Sequence, residues 1–269
     1  MREITSKDNK IVKLCEQLAA RKYRDRLGLY LIEGENLLEE AVQEGAAVET
    51  VLIRRDCRKI PPGLEDRTYI LGDGLFRKLS LTDTSQGSLA IVKKPEVSRK
   101  ALLEQGAAGN FVVLDRLQDP GNIGTIIRTA DAAGYGLVAV MKGTADVFSP
   151  KVVRAAAGSL FRVPVVFMND YDELVTFVRA AGVKLAATCF DTDRYYYEED
   201  LRENVALIIG NEGNGISPEL IGRADIKIKI PMAGSIESLN AAVAAAVLMY
   251  ETVRQRARQG EMCHTSGNH

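Results

Sequence analysis

The chain has 269 residues, 46% of them hydrophobic, which is enough for one large domain or two modest domains with proper cores. Its formal net charge of −1 excludes a uniformly basic coat for nucleic acid, although this average can hide local asymmetry. The four cysteines lie far apart without a C-x-x-C pair, and both histidines are in the C-terminal tail, so we expect neither a metal site nor a disulfide framework.

The N-terminal 28 residues carry more basic than acidic side chains and lack the apolar core of a signal peptide. Their spacing predicts an amphipathic basic helix over residues 5–26, after which Gly28 lets the chain turn. No stretch of the sequence approaches the roughly 20 apolar residues that span a bilayer. We therefore expect no membrane association and a cytoplasmic location.

Strands alternate with short helices up to residue 95. Apolar runs predict strands at LYLIEG, VETVLIRR, TYILG and SLAIVKK, with helices at 35–45 and around LFRKLSL. This alternation predicts a compact α/β domain over residues 1–95. The polar stretch of small residues that follows predicts a linker or a loosely attached helix over 96–109.

A second alternation, over residues 110–258, has nearly continuous apolar strands. We expect them at FVVLDRL, GLVAVMKG, RVPVVFM, KLAATCF, VALIIG and IKIKI, with a long Ala/Val helix at the end. Ser149-Pro150 and Ser217-Pro218 each predict a helix start with serine as the N-cap. The pattern predicts a mainly parallel sheet buried on both faces, followed by a flexible tail at 259–269. Ligands of such sheets lie beyond the carboxyl ends of the strands.

Three loops expected at that edge carry polar residues. In the first, Asn122 lies between two glycines, and Arg128 follows on an apolar helix, where it either reaches water or points into a cleft. In the second, NEGNGIS, Glu212 is either solvated or orients a polar partner. In the third, Ser238 is either simply the N-cap of the last helix, with Asn240 in its first turn, or part of a site. Five polar groups converging on one crevice form a candidate site.

Three motifs in order resemble those of the SpoU (TrmH) family of SPOUT-class RNA methyltransferases: DPGNIGTIIRTADAAG at 119–134, LIIGNEGNGIS at 207–217 and IKIPMAGSIESLNAAVAAAVLMYE at 228–251. LIEGENLLEEA at 31–41 and TDTSQGSLAIV at 82–92 resemble the RNA-substrate-binding domain of rRNA-directed members. The resemblance implies an α/β fold with a deep trefoil knot, a homodimer, and methyl transfer from S-adenosylmethionine to a ribose 2′-hydroxyl. The preferred substrate is 23S ribosomal RNA.

The resemblance also implies roles for single residues. Arg128 would be the general base, or, because a guanidinium loses its proton only above about pH 12, it would instead bind the neighbouring phosphate while solvent takes the proton. Asn122 would orient Arg128 or the ribose, and Glu212 would hold Asn122 or Arg128. Ser238 and Asn240 would fix the substrate nucleotide or the knot loop. The cofactor would bind to the backbone of Gly210, Ile230 and Leu239, in a pocket lined by Thr188, Cys189, Phe190, Asn211 and Met232.

Several alternatives stay open. The basic N-terminal helix either contacts RNA, through Arg21, Lys22, Arg24 and Arg26, or exposes a solvated face. The substrate could be tRNA, and the protein could be a relative that binds RNA without catalysis. A Rossmann-type nucleotide enzyme is a weaker alternative, because NEGNGIS has the order G-x-x-G-x-G and no G-x-G-x-x-G follows the first strand.

Overall fold

The computed structural model describes residues 2–57, 60–82, 86–105 and 109–257, so the predicted tail at 259–269 lies outside the described residues. Before residue 97 the elements are β1 (Arg2–Ile4), α1 (Lys10–Leu18), α2 (Arg21–Leu27), β2 (Leu29–Glu33), α3 (Glu35–Gln43), β3 (Val48–Arg54), β4 (Thr68–Leu71), α4 (Asp73–Leu79) and β5 (Ser88–Lys93). After it they are α5 (Arg99–Glu104), β6 (Phe111–Asp115), α6 (Pro120–Ala132), β7 (Leu137–Met141), α7 (Pro150–Ala156), α8 (Ser159–Arg162), β8 (Val165–Met168), α9 (Tyr171–Ala180), β9 (Lys184–Thr188), β10 (Val205–Gly210), α10 (Pro218–Gly222), β11 (Ile226–Ile228) and α11 (Ala241–Ala257).

The chain divides into two compact units. The first contains the residues up to Glu96 together with Asp146–Arg162, and the second contains Val97–Ala145 together with the residues from Val163 onward. The expected boundaries near residues 95 and 110 do not account for the segment Asp146–Arg162, which no change in composition marks. No helix within the described ranges has the length and apolar character needed to cross a membrane.

A five-stranded sheet in the order β1-β4-β3-β5-β2 forms the centre of the first unit. Strands β1, β4 and β3 pair in parallel, whereas β5 is antiparallel to both of its neighbours. All four strands predicted before residue 95 are present. Strand β1 is an addition, because three residues are too few to reveal an alternating pattern.

The basic N-terminal helix is two helices rather than one. Helix α1 ends at Leu18, Ala20 is extended, and α2 then begins at Arg21. Gly28 ends α2 in the left-handed conformation (φ 65°), as its predicted role at the turn requires. Because of this break, α2 does not continue the helix face of α1. The single helix predicted over residues 5–26 therefore gives the wrong buried face for α2.

Arg24 in α2 is buried, which contradicts its predicted contact with RNA. Only 4% of its side chain is exposed, and its guanidinium pairs with Asp146 at 2.5 Å. It also donates hydrogen bonds to the carbonyl oxygens of Leu18 and Ala19 at 2.6 and 2.8 Å. All of these contacts lie within the first unit. Arg24 therefore joins α2 to the segment Asp146–Arg162 and is not available to a phosphate.

A six-stranded sheet in the order β11-β9-β10-β6-β7-β8 forms the second unit, and every pairing in it is parallel. Strands β6 and β7 are buried along their whole length, as is β10 up to its last residue. The predicted mixed α/β architecture, with a parallel sheet buried on both faces, is confirmed. Because β6 and β10 are neighbours, the loops that follow them meet at the carboxyl edge.

Local signals set the starts of several helices. Ser149 and Ser217 accept hydrogen bonds from the backbone N–H groups of Val152 and Leu220, and each serine is followed by proline. Both predicted N-caps are confirmed. Helix α6 begins at Pro120 and is capped in the same way, since the side chain of Asp119 accepts a hydrogen bond from the N–H of Asn122.

Replacing Arg24 with methionine should destabilise the first unit by about 3–5 kcal/mol, because the carboxylate of Asp146, only 10% exposed, would lose its partner. Urea unfolding at neutral pH measures this loss. The matched control is Arg21→Met, whose ion pair with Asp25 is exposed at both ends and is worth about 0.5 kcal/mol. Equal losses in the two variants would contradict a structural role for Arg24.

Candidate functional site

The carboxylate of Glu212 joins the loop after β10 to the loop after β6. It accepts hydrogen bonds from the backbone N–H groups of Gln118 and Asp119, both at 3.0 Å, and from Nδ2 of Asn122 at 3.1 Å. The three donors come from one short stretch at the start of α6. Of the two partners proposed for Glu212, the carboxylate contacts Asn122 and not Arg128.

Asn122 continues the connection to the last helix. Its Oδ1 accepts a hydrogen bond from Nδ2 of Asn240 at 2.9 Å. Oδ1 of Asn240 in turn accepts from the backbone N–H groups of Ala242 and Val243 at 2.9 and 3.3 Å. Glu212, Asn122, Asn240 and the N-terminus of α11 therefore form one continuous hydrogen-bond chain.

The two ends of this chain fix the orientation of both amides between them. A carboxylate only accepts, so Glu212 selects the amino group of Asn122 and leaves its carbonyl for Asn240. Helix N–H groups only donate, so α11 selects the carbonyl of Asn240 and leaves its amino group for Asn122. Each donor in the chain thus meets an acceptor, and the two choices agree.

Ser238 does not cap the last helix. Helix α11 begins at Ala241 and Asn240 is its N-cap, whereas Ser238 is exposed in the preceding loop. The interpretation in which Ser238 is the cap and Asn240 occupies the first turn is therefore wrong. The sequence favoured Ser238 because serine is a common N-cap, but asparagine is an equally good one.

Burial and hydrogen bonding act in opposite directions on Glu212. Burial disfavours the charged carboxylate and raises its pKa. The hydrogen bonds from Gln118, Asp119 and Asn122 favour the charged form, and the net effect is a pKa below the usual glutamate range. Glu212 is therefore a structural acceptor that stays ionised near neutral pH, not a proton donor.

Arg128 lies on α6 but outside this chain. It is exposed, and within the described part of the protein it makes no hydrogen bond or ion pair. Positions 121, 124 and 128 share one face of the helix, and the first two are glycines. Side chains on a helix point toward its N-terminus, and Thr125 is the one other side chain on this face between Arg128 and the start of α6.

The loop after β10 needs the glycine at its start. A Cβ atom at Gly210 would lie 2.2 Å from the backbone nitrogen of Ile216, so only glycine fits there. Asn211 and Gly215 then close the loop with reciprocal backbone hydrogen bonds of 3.0 and 2.8 Å. Nδ2 of Asn211 donates to the carbonyl oxygen of Arg116 at 2.8 Å, which connects this loop again to the end of β6.

The stretch from Ile230 to Leu239 is an irregular loop with an unpaired backbone. Among the described residues, no backbone group in this range makes a hydrogen bond, whereas Lys229 just before it pairs with Arg194 at 3.0 Å. The loop directly follows β11, which pairs with β9. Such a run of open donors and acceptors fits a cofactor that is bound through backbone contacts, as expected for S-adenosylmethionine. The exposed ring of Phe190 follows β9, the strand that pairs with β11.

The predicted cofactor residues come from the ends of three adjacent strands. Thr188, Cys189 and Phe190 end or follow β9, Gly210 and Asn211 end or follow β10, and Ile230, Met232 and Leu239 follow β11. The N–H of Cys189 donates to the carbonyl oxygen of Ile228 at 3.0 Å, which holds two of these segments together. Within the described ranges no cluster of three or more His, Cys, Asp or Glu could hold a metal ion.

The remaining candidates for RNA contact are in α2. Arg21, Lys22 and Arg26 are exposed, unlike Arg24. Arg21 pairs with Asp25 at 3.3 Å, and the guanidinium of Arg26 lies 4.9 Å from the ring centre of Tyr23. These side chains belong to the first unit.

Sequence reasoning missed Asp115, the last residue of β6. Its carboxylate is fully buried and accepts hydrogen bonds from the hydroxyl of Tyr171 at 3.0 Å, the N–H of Ser217 at 2.8 Å and Nε of Arg116 at 3.1 Å. A carboxylate at the end of an otherwise apolar strand was the available signal. Asp115 fixes the far end of the loop that contains Glu212.

Comparisons with known proteins agree with this geometry. Residues 109–250 match the model of the SpoU rRNA Methylase family, and residues 9–90 match that of the MRM3-like substrate binding domain. The chain belongs to the SpoU rRNA methylase family. The resemblance inferred from the three motifs is confirmed.

Relatives of this SpoU protein are similar over nearly the whole chain. It is 40% identical to the 23S rRNA (guanosine(2553)-2′-O)-methyltransferase RlmP of Bacillus subtilis, over 93% of this chain and 98% of that protein. It is 34% identical to the 23S rRNA (uridine(2479)-2′-O)-methyltransferase of Streptomyces viridochromogenes, over 95% and 93%. The AdoMet-bound rRNA methyltransferase of Sinorhizobium meliloti superposes with a TM-score of 0.84 at 32% identity, over 94% of this chain and 98% of that one.

Acid should destabilise this SpoU protein partly through Glu212. Because its pKa is lowered by folding, its hydrogen bonds contribute fully above the ordinary glutamate pKa of about 4.3 and are lost as the pH falls through the lowered value. Glu212→Gln should therefore flatten the free energy of unfolding between about pH 5 and pH 3. Urea unfolding at several pH values measures this, with exposed Glu203→Gln as the control. A Glu212→Gln curve as steep as that of the wild type would contradict the assignment.

Proposed function

We propose that this protein transfers a methyl group from S-adenosylmethionine to a ribose 2′-hydroxyl of large-subunit ribosomal RNA. The observation that carries the proposal is the hydrogen-bond chain from Glu212 through Asn122 and Asn240 at the carboxyl edge of a SpoU-family sheet. The names of the relatives support 23S rRNA over tRNA as the substrate class. Ribosomal RNA as substrate supports the cytoplasm as the site of action.

The reaction needs alignment and proton removal. A ribose hydroxyl is a poor nucleophile, so its oxygen must be held in line with the methyl carbon while the proton leaves. The hydrogen-bonded pair Asn122 and Asn240 would orient the ribose, and Ser238, in the loop before Asn240, would contact the same nucleotide. S-adenosylmethionine supplies the electrophilic methyl group, held by the backbone from Ile230 to Leu239 and by the ends of β9 and β10.

Arg128 is better suited to bind a phosphate than to act as the base. It is exposed and makes no hydrogen bond or ion pair within the described part of the protein, so its guanidinium is accessible to the RNA backbone. A charged guanidinium binds phosphate oxygens with two parallel hydrogen bonds. We assign to Arg128 the phosphate next to the methylated ribose, and solvent accepts the proton.

The first unit would bind the substrate RNA, with Arg21, Lys22 and Arg26 as contacts. Its match to a substrate-binding domain supports this role for residues 1–95, and the family match supports residues 110–258 as the catalytic domain. A deep trefoil knot in the second unit is also part of the proposal. The long unpaired loop before α11, and the packing of that helix against α6 and β10, suit a chain end that passes through a loop.

A methyl-transfer assay with labelled S-adenosylmethionine and unmodified transcripts tests the function. We expect label in 23S rRNA and none in tRNA, at a 2′-O-methyl position found by primer extension. Arg128→Ala should reduce kcat by roughly 100-fold, since the ribose is no longer positioned. Arg128→Lys should retain more activity, because it keeps the charge.

Measuring cofactor affinity shows whether Arg128 acts on the RNA or on the cofactor. Titration calorimetry should give the same Kd for S-adenosylmethionine in the wild type and in Arg128→Ala. A parallel loss of cofactor affinity would contradict the assignment of Arg128 to the RNA. Absence of transfer to any RNA by the wild type, with intact RNA binding, would instead favour a catalytically inactive relative.

We also propose that the protein is a homodimer that uses α11. Val243 and Tyr250 are seven residues apart on one helix face, and both remain about half exposed, at 50% and 51%. Large apolar side chains on one face of a terminal helix suit a self-complementary interface.

Val243→Asp should therefore convert the dimer to a monomer, because a buried unpaired charge opposes association. Size-exclusion chromatography with light scattering measures the mass. The control is Phe167→Asp, which places the same charge on an exposed apolar residue of edge strand β8. A wild-type monomer, or dissociation in both variants, would contradict an interface on α11.

A further inference from the structure

The backbone of Arg116, directly after β6, is in an uncommon conformation. Its φ of 59° lies in the left-handed region, where residues other than glycine and asparagine are rare. Such strain persists only where the surroundings impose it, and it is concentrated at functional sites. Arg116 therefore requires an explanation from its contacts.

Those contacts hold the backbone on both sides. The N–H of Arg116 donates to Oγ1 of Thr144 at 3.1 Å, and its carbonyl oxygen accepts from Nδ2 of Asn211 at 2.8 Å and from Nε2 of Gln118 at 2.9 Å. The same conformation directs the side chain back to the end of its own strand. There Nε and Nη2 donate to the buried carboxylate of Asp115 at 3.1 and 3.4 Å.

The guanidinium of Arg116 is held in place, but not all of its N–H groups have a partner in these bonds. A guanidinium has five N–H donors, and the bonds to Asp115 engage two of them. The side chain is still 39% exposed. The hydrogen bond to Asp115 also raises the pKa of Arg116, so the group is charged throughout the neutral range. One edge of a preoriented cationic fork thus remains open to solvent.

The position of Arg116 indicates which anion it meets. Gln118, two residues later, donates its N–H to Glu212, so Arg116 is next to the hydrogen-bond chain of the site. The predicted cofactor residues follow β9, β10 and β11, whereas β6 is on the other side of β10. Lys142, directly after the next strand β7, is exposed and adds positive charge along this part of the edge.

We propose that Arg116 binds a phosphate of the substrate RNA close to the methylated ribose, with Asp115 as the residue that positions its guanidinium. This inference rests on the proposed function. Planar bidentate recognition of a phosphate is the chemistry for which an arginine fork is suited, and a fork oriented in advance loses little freedom on binding.

Two variants separate charge from geometry. Arg116→Asn removes the charge and keeps a residue that tolerates φ above zero, so the backbone should be preserved. Arg116→Lys keeps the charge but lacks the fork. The matched control is Arg179→Gln, an exposed arginine in the last turn of α9, which ends at the opposite edge of the same sheet.

Filter binding of an unmodified 23S rRNA transcript over a range of KCl concentrations is the measurement. For Arg116→Asn we expect about tenfold weaker binding at low salt. The slope of log affinity against log salt concentration should fall by about one, as for the loss of one phosphate contact. Arg116→Lys should keep the salt dependence of the wild type and bind with intermediate affinity. Arg179→Gln should match the wild type in both respects.

Other outcomes would overturn the inference. Unchanged RNA affinity in Arg116→Asn, or an equal loss of affinity in the Asn and Lys variants with the salt dependence of the wild type in both, would show that Arg116 is a purely structural residue. A matching loss of S-adenosylmethionine affinity by calorimetry would assign the guanidinium to the cofactor carboxylate, and a change in oligomeric mass would assign it to a second copy. A wild-type protein that neither binds nor methylates the transcript would refute the proposed function itself, before any variant is compared.

Discussion

The site depends on one carboxylate that three donors surround. Glu212 is in a glycine-rich loop that could adopt many conformations, yet its hydrogen bonds to Gln118, Asp119 and Asn122 allow only one position relative to α6. Asp115 and Asn211 fasten the same loop at its two ends. Tertiary hydrogen bonds therefore select one conformation of this glycine-rich loop and connect it to the loop after β6.

The same arrangement explains why amides, rather than acids, follow Glu212. An aspartate at either asparagine position would place a second carboxylate next to an acceptor and would leave one link without a donor. Asparagine has both a donor and an acceptor on one short side chain. Two asparagines in succession can therefore connect a carboxylate, which only accepts, to helix N–H groups, which only donate. Polar groups whose direction is fixed before the substrate arrives are suited to orient a reacting hydroxyl.

The sequence predicted the longer strands, and with them the meeting of three of the five candidate residues, because both depend on local patterns. Apolar runs locate buried strands, and loops at carboxyl ends bring Asn122, Glu212 and Asn240 to one edge. It could not predict that Arg24 is buried, since its partner Asp146 is 122 residues away and no pattern connects them. The choice between Ser238 and Asn240 as the N-cap failed for a similar reason, because the position of Asn240 is set by Asn122 and not by helix propensity.

The site combines a rigid half with an open half, and Asn240 is the boundary between them. On one side its carbonyl caps α11 and its Nδ2 donates to Asn122, so the direction of both amides in that half is set without a ligand. On the other side the backbone from Ile230 to Leu239 lacks internal partners among the described residues, so water or a ligand must satisfy its polar groups. A ligand that contacts the open half need not disturb Asn122 and Asn240, because Asn240 is already held from both ends. Under the proposed function, the residues that bind the methyl donor and the residues that orient the acceptor are thus adjacent in the chain but held by separate sets of contacts.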